Sequence, residues 1–405
     1  MSQRPPVSDW ATDFDHLTDE WAAHGPEILG DLRVRCPVPS TERFHGAYIA
    51  TRYDDAVAVA QNPATFSSRV TMVTDNHPDT ITLSLGPLTL DPPLHSPLRR
   101  ALLPAFNPGR VAELEAVVRQ IVGELLDEIG DREHVDAATE FAEQVPVRLM
   151  SHLFGVPTSQ GAAFKGWVDA VLKDGLLDIQ LARDANRAIL AYFAEKLRSR
   201  RDSGEHHDDL VSMVLDARIT DDGTVRPLTD REQIGSLYVL LIGGVDTTWS
   251  LIGAALIHLG TNPDDLDRLT AEPDLVPVAV EEFLRVYSPA TAGRVINHDA
   301  QVGGCPVDGG KRLLISYPSA NRDASVFERA EEFIIDRERN PHLAFGVGIH
   351  RCIGSNLARM EMVVALQGWL ERFPRFTLAC DPSEIRWSNG AVRGPHHVPL
   401  RISRG

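Results

Sequence analysis

One stretch constrains the fold of this chain more than any other. From Thr229 to about Gly260 the sequence is apolar almost throughout, and Asn262-Pro263 stops it. Thr229 with Glu232 makes a capping box at its start. At 1.5 Å per residue the helix would be about 45 Å long, enough to cross a whole domain. A helix apolar on every face belongs inside a core or a membrane. Asp246 interrupts the most apolar part, Leu237 to Leu259, near its middle. A carboxylate there is costly in a bilayer, so the sequence predicts a buried core helix. Gly243 and Gly244 also lie inside it, followed by Asp246, Thr247 and Thr248. Interior helix glycines each cost up to about 1 kcal/mol, so the pair needs a reason.

The remaining pattern points to more helices around this one. Leu114, Val117, Val118, Ile121, Val122, Leu125, Leu126 and Ile129 share one helical face. Residues 183–199, 208–217, 275–287 and 355–373 also read as helices, with 200–207 as an exposed loop between the first two. Short apolar runs broken by glycine pairs suggest β-rich portions at about 40–60, 293–317 and 376–403. The expectation is a mainly α fold with a small β-rich part, in a single domain over 1–405. The 405 residues carry a net charge of −17, spread along the chain, which argues against nucleic acid as a partner. Residues 1–30 are polar and lack an apolar signal core, so a cytoplasmic protein with no membrane attachment is expected. Four cysteines occur, at 36, 305, 352 and 380, with no CxxC pair and no zinc or iron–sulfur spacing. Cys36, Cys305 and Cys380 read as packing residues.

Cys352 is different. It lies in Phe345–Gly354, FGVGIHRCIG, where glycines at 346, 348 and 354 permit a tight loop. Such a loop lets backbone N–H groups approach a sulfur ligand and tune it. The helix after Gly354 would place its positive end near a thiolate. Phe345, Gly348, His350, Cys352 and Gly354 match every position of the haem-binding loop of the cytochrome P-450 superfamily, which this sequence therefore resembles. Glu282 and Arg285 match the family's Glu-x-x-Arg helix, and Arg337 stands where the family places the arginine that joins their ion-pair network. The resemblance covers roughly residues 40–403. It looks closest to soluble bacterial members and extends to the haem domains of reductase-fused forms. No reductase follows Gly405, so electrons are expected from a separate partner.

The resemblance implies a cytochrome P-450 fold and a haem-thiolate monooxygenase. Haem b would be held by Cys352 as axial iron ligand, in the loop of Phe345 and Gly354. Its propionates would be met by His95, Arg99, Arg294 and His350. Thr247 would hydrogen-bond bound dioxygen and Asp246 would relay protons from solvent, with the glycine pair letting the helix open. Segments 70–90, 164–181, 237–245, 289–295 and 389–392 would cover the substrate. Their apolar residues, Leu83 and Leu176 among them, imply a neutral, largely hydrophobic organic substrate. O2, a ferredoxin and a ferredoxin reductase complete the expected partners of a monomeric enzyme. Competing readings are a peroxide-driven relative, which would lack the Asp246-Thr247 pair, and a haem-based sensor or electron carrier.

Overall fold

The structure is a computed structural model that describes residues 4–75 and 85–403. In chain order its helices are α1 (Asp19–Arg35), α2 (Tyr53–Ala60), α3 (His95–Leu102), α4 (Pro108–Ile129), α5 (Gln144–Leu153), α6 (Gly161–Leu172), α7 (Ile179–Ser203), α8 (Leu210–Asp216), α9 (Asp230–Thr261), α10 (Pro263–Ala271), α11 (Val276–Val286), α12 (Tyr317–Ala320) and α13 (Ser355–Arg372). The strands are short: β1 (Ser40–Thr41), β2 (Ala47–Ala50), β3 (Phe66–Ser67), β4 (His134–Asp136), β5 (Arg218–Asp221), β6 (Thr224–Pro227), β7 (Ala292–Ile296), β8 (Ala300–Val302), β9 (Cys305–Val307), β10 (Arg312–Ile315), β11 (Phe376–Leu378) and β12 (Pro399–Ile402).

Helix α9 starts as its sequence dictates. Thr229 accepts the Glu232 backbone N–H, and the Glu232 side chain accepts back from Thr229. Residues on all sides of it are buried, including Leu237, Leu241, Val245, Trp249, Ile252 and Leu256. Among the described residues it is the one helix long and apolar enough to cross a membrane, and 78% of its most apolar window is buried inside the protein. Helices α5, α6, α7, α11 and α13 pack around it.

The main sheet has the order β1-β2-β10-β7-β3, with β2 and β10 parallel and Tyr48 opposite Leu313. Alternation separates two cores across it. Tyr48, Ala50, Leu313 and Ile315 face one cluster with Val38 and Ile296. Ala47, Ile49 and Leu314 face another with Phe14, Leu17, Trp21 and Phe44 from the N-terminal segment. A second sheet, β11-β12-β4, and the hairpins β5-β6 and β8-β9 complete the β structure.

Three expectations change. The portion at 40–60 is only partly β, because Tyr53–Ala60 is helical. The expected loop at 200–207 begins later, since α7 continues to Ser203. Arg200, expected in that exposed loop, is buried and paired with Asp209 at 2.8 Å. The β5-β6 hairpin was not anticipated, although Asp222 and Gly223 both hold positive φ, the geometry that an Asp-Gly turn provides.

The Glu282 network sits at the centre of the fold. Glu282 and Arg285 are fully buried and paired at 2.7 Å, and Arg337 joins at 3.0 Å. Arg285 also donates to the carbonyls of Asn321, Ala330 and Glu332. Glu282 accepts from the Ile334 N–H and from Asn340. Burial would raise its carboxyl, yet Arg285, the Ile334 N–H and Arg337 hold it below the usual range.

Candidate functional site

The cysteine loop is built from backbone geometry. Cys352 N–H donates to the Phe345 carbonyl at 2.8 Å, closing the loop. Gly348 has φ +76, and a Cβ there would lie 2.8 Å from the Ala60 carbonyl oxygen, so both conformation and contact with α2 require glycine. The Phe345 ring carries the Arg359 guanidinium at 4.5 Å, and Arg359 is fixed by Glu281 at 2.6 Å. Burial pushes the Cys352 thiol up, against the Gly354 N–H and the Arg99, Arg351 and Arg359 charges. Cys352 nonetheless has accessible surface.

The residues expected at the propionates come together. His95 and Arg99 lie one turn apart on α3, and the His95 ring centroid is 4.4 Å from that of His350. Arg99 donates to the Arg351 carbonyl, tying α3 to the cysteine loop. Arg294 on β7 is 3% exposed and donates to its neighbour Gly293. Among the described residues neither Arg99 nor Arg294 has a carboxylate in ion-pair contact. Burial pushes His350 down to about 3, reinforced by Arg294, His95 and Arg99. Both ring nitrogens of His95 and Nε2 of His350 are buried without a partner. Buried polar groups are ordinarily satisfied. A cluster of two half-paired guanidinium groups and two neutral histidines beside an accessible thiol fits an iron porphyrin with two carboxylates.

On α9 the glycines serve two ends. A Cβ on Gly244 would lie 2.6 Å from Met150 Sδ, so Gly244 admits α5. Gly243 is exposed although its neighbours Leu241, Ile242, Val245 and Asp246 are buried, and nothing lies within 4 Å of its Cβ position. Thr247, one turn on, shares that face and donates to the Gly243 carbonyl at 3.3 Å. The helix is unbroken here: the expected opening is absent, and the threonine bonds back to its own helix.

Asp246 is not in contact with solvent, as a direct relay would require. It is 0% exposed. Its Oδ1 accepts from Trp249 Nε1 at 2.7 Å and Lys173 Nζ at 2.8 Å, while Oδ2 is unpartnered. Lys173 also pairs with Asp169 at 2.9 Å and stands 4.1 Å above the Trp249 ring. Asp169 pairs with Lys165, which reaches Glu143 at 3.4 Å. A chain of alternating charges therefore runs from the half-exposed Lys165 to the buried Asp246. Lys173 is not among the residues expected at the site from the sequence. Its signal was the Lys165–Asp169–Lys173 series at i,i+4 in an otherwise apolar helix.

Four of the five segments expected over the substrate meet in one crevice, through Thr71–Val73, Leu176, Thr291 and Ala391. His16 and Leu314 complete its wall, and neither was anticipated. Leu83 lies outside the described residues. Leu177, Ile179 and Leu181 expose apolar surface next to Leu176.

Comparison with known proteins agrees with this geometry. The family model described as Cytochrome P450 matches residues 43–385. Cytochrome P450 107B1 of Saccharopolyspora erythraea is 38% identical over 78% of this chain and 78% of its own length. Mycinamicin IV hydroxylase/epoxidase of Micromonospora griseorubida is 33% identical over 92% of this chain and 94% of its own. The solved structure of the bacillaene polyketide synthase cytochrome P450 PksS from Bacillus subtilis superposes with a TM-score of 0.87 at 30% identity. It covers 96% of this chain and 100% of that one.

The Lys173–Asp246 pair yields a prediction with a definite sign. Burial raises the Asp246 carboxyl against the opposing effect of Lys173. A carboxyl raised in the folded state supports stability below its unfolded pKa and loses that support as pH rises through its folded value. Lys173→Met is therefore expected to lose about 3–5 kcal/mol of stability at pH 8, and less at pH 5. Adding Asp246→Asn should recover most of the loss. Urea denaturation at both pH values measures this; equal losses at pH 5 and pH 8 would show that Lys173 does not balance this charge.

Proposed function

The chain belongs to the cytochrome P450 family, and from that membership we propose that Cys352 is the thiolate ligand of its haem iron. The protein is a haem-thiolate monooxygenase, which transfers one oxygen atom of O2 to an organic substrate. The observation that carries the assignment is the exposed Cys352, its sulfur met by the Gly354 N–H and its loop flanked by Arg99, Arg351 and Arg359 and by two histidines, His95 and His350, whose buried ring nitrogens lack partners. When bound, haem supplies O2 activation, and a thiolate ligand favours O–O cleavage.

The chain's own residues have distinct tasks. His95, Arg99, Arg294 and His350 would hold the two propionates by charge-assisted hydrogen bonds. Thr247 and Gly243 offer the open face of α9, where Thr247 Oγ1 can exchange its bond to Gly243 for one to a ligand. Asp246 would pass protons to that face, drawing on the charge chain through Lys173, Asp169 and Lys165 rather than on direct solvent contact. Met72, Val73, Leu176 and Ala391, which meet in the crevice, are uncharged and apolar, and this supports a neutral, largely apolar substrate. Relatives named for mycinamicin IV and for polyketide biosynthesis support an organic substrate of secondary metabolism.

Electrons would come from a separate ferredoxin and its reductase. Arg351 and Arg100 are exposed at the cysteine face, and among the described residues neither has a carboxylate in ion-pair contact. A local basic patch on a chain of net charge −17 would steer an acidic partner there.

Three measurements test this. Cys352→Ser should abolish the red-shifted band of the reduced carbon-monoxide complex; its persistence would remove Cys352 as the ligand. Thr247→Ala should consume NAD(P)H in a reconstituted system with product yield several-fold lower and hydrogen peroxide correspondingly higher. Unchanged yield would exclude Thr247 from proton delivery. Arg100→Glu with Arg351→Glu should slow stopped-flow reduction by an acidic ferredoxin at least tenfold at low salt, leaving substrate binding unchanged. Rates indifferent to both salt and charge reversal would place docking elsewhere.

A further inference from the structure

Trp249 touches both members of the buried Lys173–Asp246 pair, one with its edge and one with its face. It lies one turn beyond Asp246 on α9 and is 4% exposed. Its Nε1–H donates to Asp246 Oδ1 at 2.7 Å, and Lys173 Nζ stands 4.1 Å from its ring centroid. An indole has a single donor, and here it is committed to the carboxylate. The aromatic quadrupole is positive at the edge and negative on the face, so an anion at the one and a cation over the other suit the ring at once. The Ser250 hydroxyl donates to the Asp246 carbonyl at 2.7 Å, which anchors the backbone of this turn.

The two oxygens of Asp246 are used unequally. Oδ1 accepts from Trp249 Nε1 and from Lys173 Nζ at 2.8 Å, while Oδ2 is buried with no partner. A carboxyl proton needs a free lone pair, and Oδ2 has them. Asp246 can therefore change its protonation state with both bonds at Oδ1 in place. Burial raises this carboxyl; Lys173 is the chief opposing influence, Asp169 adds to the rise and the Trp249 N–H counts against it. Behind these groups stand Lys165, which pairs with Asp169 and Glu143, and His396 of the C-terminal segment, which feels Lys173 and Asp169. Lys173 divides itself between Asp246 and Asp169, the latter at 2.9 Å, so it does not by itself set the direction of the Asp246 carboxylate. Trp249, a rigid ring on the same helix, does.

We propose that Trp249 is a positioning residue for Asp246: its N–H holds Oδ1 beside Lys173 and leaves Oδ2 as the oxygen that takes up and releases the proton. The inference rests on the reading of Asp246 as the group that passes protons to the open face of α9. The step is one proton onto Oδ2 and the same proton off it, with no other covalent bond made or broken. Without the N–H the carboxylate is one donor poorer, so it should bind its proton more tightly, by about one pH unit, the worth of one hydrogen bond to a charged group.

The test uses the haem-loaded enzyme and two variants. Trp249→Phe keeps an aromatic ring for Lys173 to rest on and loses the N–H; Asp246→Asn keeps an acceptor oxygen and loses the charge. The first measurement is NMR of the indole N–H groups, of which the chain has six, in the diamagnetic reduced carbon-monoxide form. One signal should move with pH in the wild type, stand still in Asp246→Asn and vanish in Trp249→Phe. The second is the pH profile of NADPH oxidation driven by a plant ferredoxin and its reductase. The limb that Asp246→Asn abolishes should move up by about one pH unit in Trp249→Phe. A purely structural tryptophan would instead lower the rate at every pH and leave the limb in place. Melting temperatures establish that the variants fold, and the NMR comparison of the wild type with Asp246→Asn stands without Trp249→Phe. The proposal is overturned if no indole signal responds to Asp246→Asn, or if Trp249→Phe leaves the limb where the wild type has it. A pH profile that Asp246→Asn does not change would instead overturn the reading of Asp246 beneath it, and a missing thiolate band the functional reading as a whole.

Discussion

The segment from Asn321 to Phe345 contains no helix or strand, so its peptide groups need partners from outside. Arg285 and Glu282 supply them. The guanidinium takes three carbonyls of the segment, and the carboxylate takes one N–H and the side chains of Arg337 and Asn340. Asn321 then accepts the Leu343 N–H, which carries the restraint to the edge of the cysteine loop. Removing one partner of such a pair leaves an uncompensated buried charge, at a cost of about 3–5 kcal/mol. The position of Cys352 therefore depends on two residues of α11 that never approach it. Phe345 is held from the other side by Arg359 and Glu281, and Glu281 is the residue next to Glu282.

Satisfaction of buried polar groups differs sharply between the ion-pair networks and the surroundings of Cys352. The Glu282 and Arg200 pairs are bonded on nearly every available atom. Around Cys352 the opposite holds: His95 uses neither ring nitrogen, His350 leaves Nε2 free, and Arg294 reaches only a neighbouring carbonyl. Each unpaired buried group costs about 1–3 kcal/mol, so such a cluster weakens the protein unless something binds there. Asp246 stands between these cases, with one oxygen doubly bonded and the other unpaired in an apolar helix. Unpaired buried atoms also occur elsewhere, on Arg312, Glu361 and Trp369, so it is their clustering around Cys352 that points to a ligand.

What the sequence revealed followed from local rules. The start of α9, the cysteine loop and the Glu282–Arg285 helix are each written in a few adjacent residues, and their geometry emerges as expected. His95, Arg99, Arg294 and His350 come from four separate places, yet motif context sufficed to group them. The misses are of two kinds. Some were legible and overlooked, such as the Asp222-Gly223 turn and the i,i+4 charges of α6. Others depend on tertiary placement: no local pattern tells that β2 pairs in parallel with β10, that Arg200 is buried, or that His16 joins a wall assembled from residues up to 391. Thr247 shows a third limit, since helix propensity alone does not say whether a threonine bonds back to its own helix or outward.

The turn after α6 links the two halves of the site. Lys173 ends the helix and balances Asp246; Leu176, whose N–H donates to the Lys173 carbonyl at 3.0 Å, forms part of the crevice wall. Gly175 between them has no room to give, because a Cβ there would lie 2.0 Å from the Ala170 carbonyl. One short, tightly packed turn thus carries both the cation that balances Asp246 on α9 and an apolar side chain of the crevice wall.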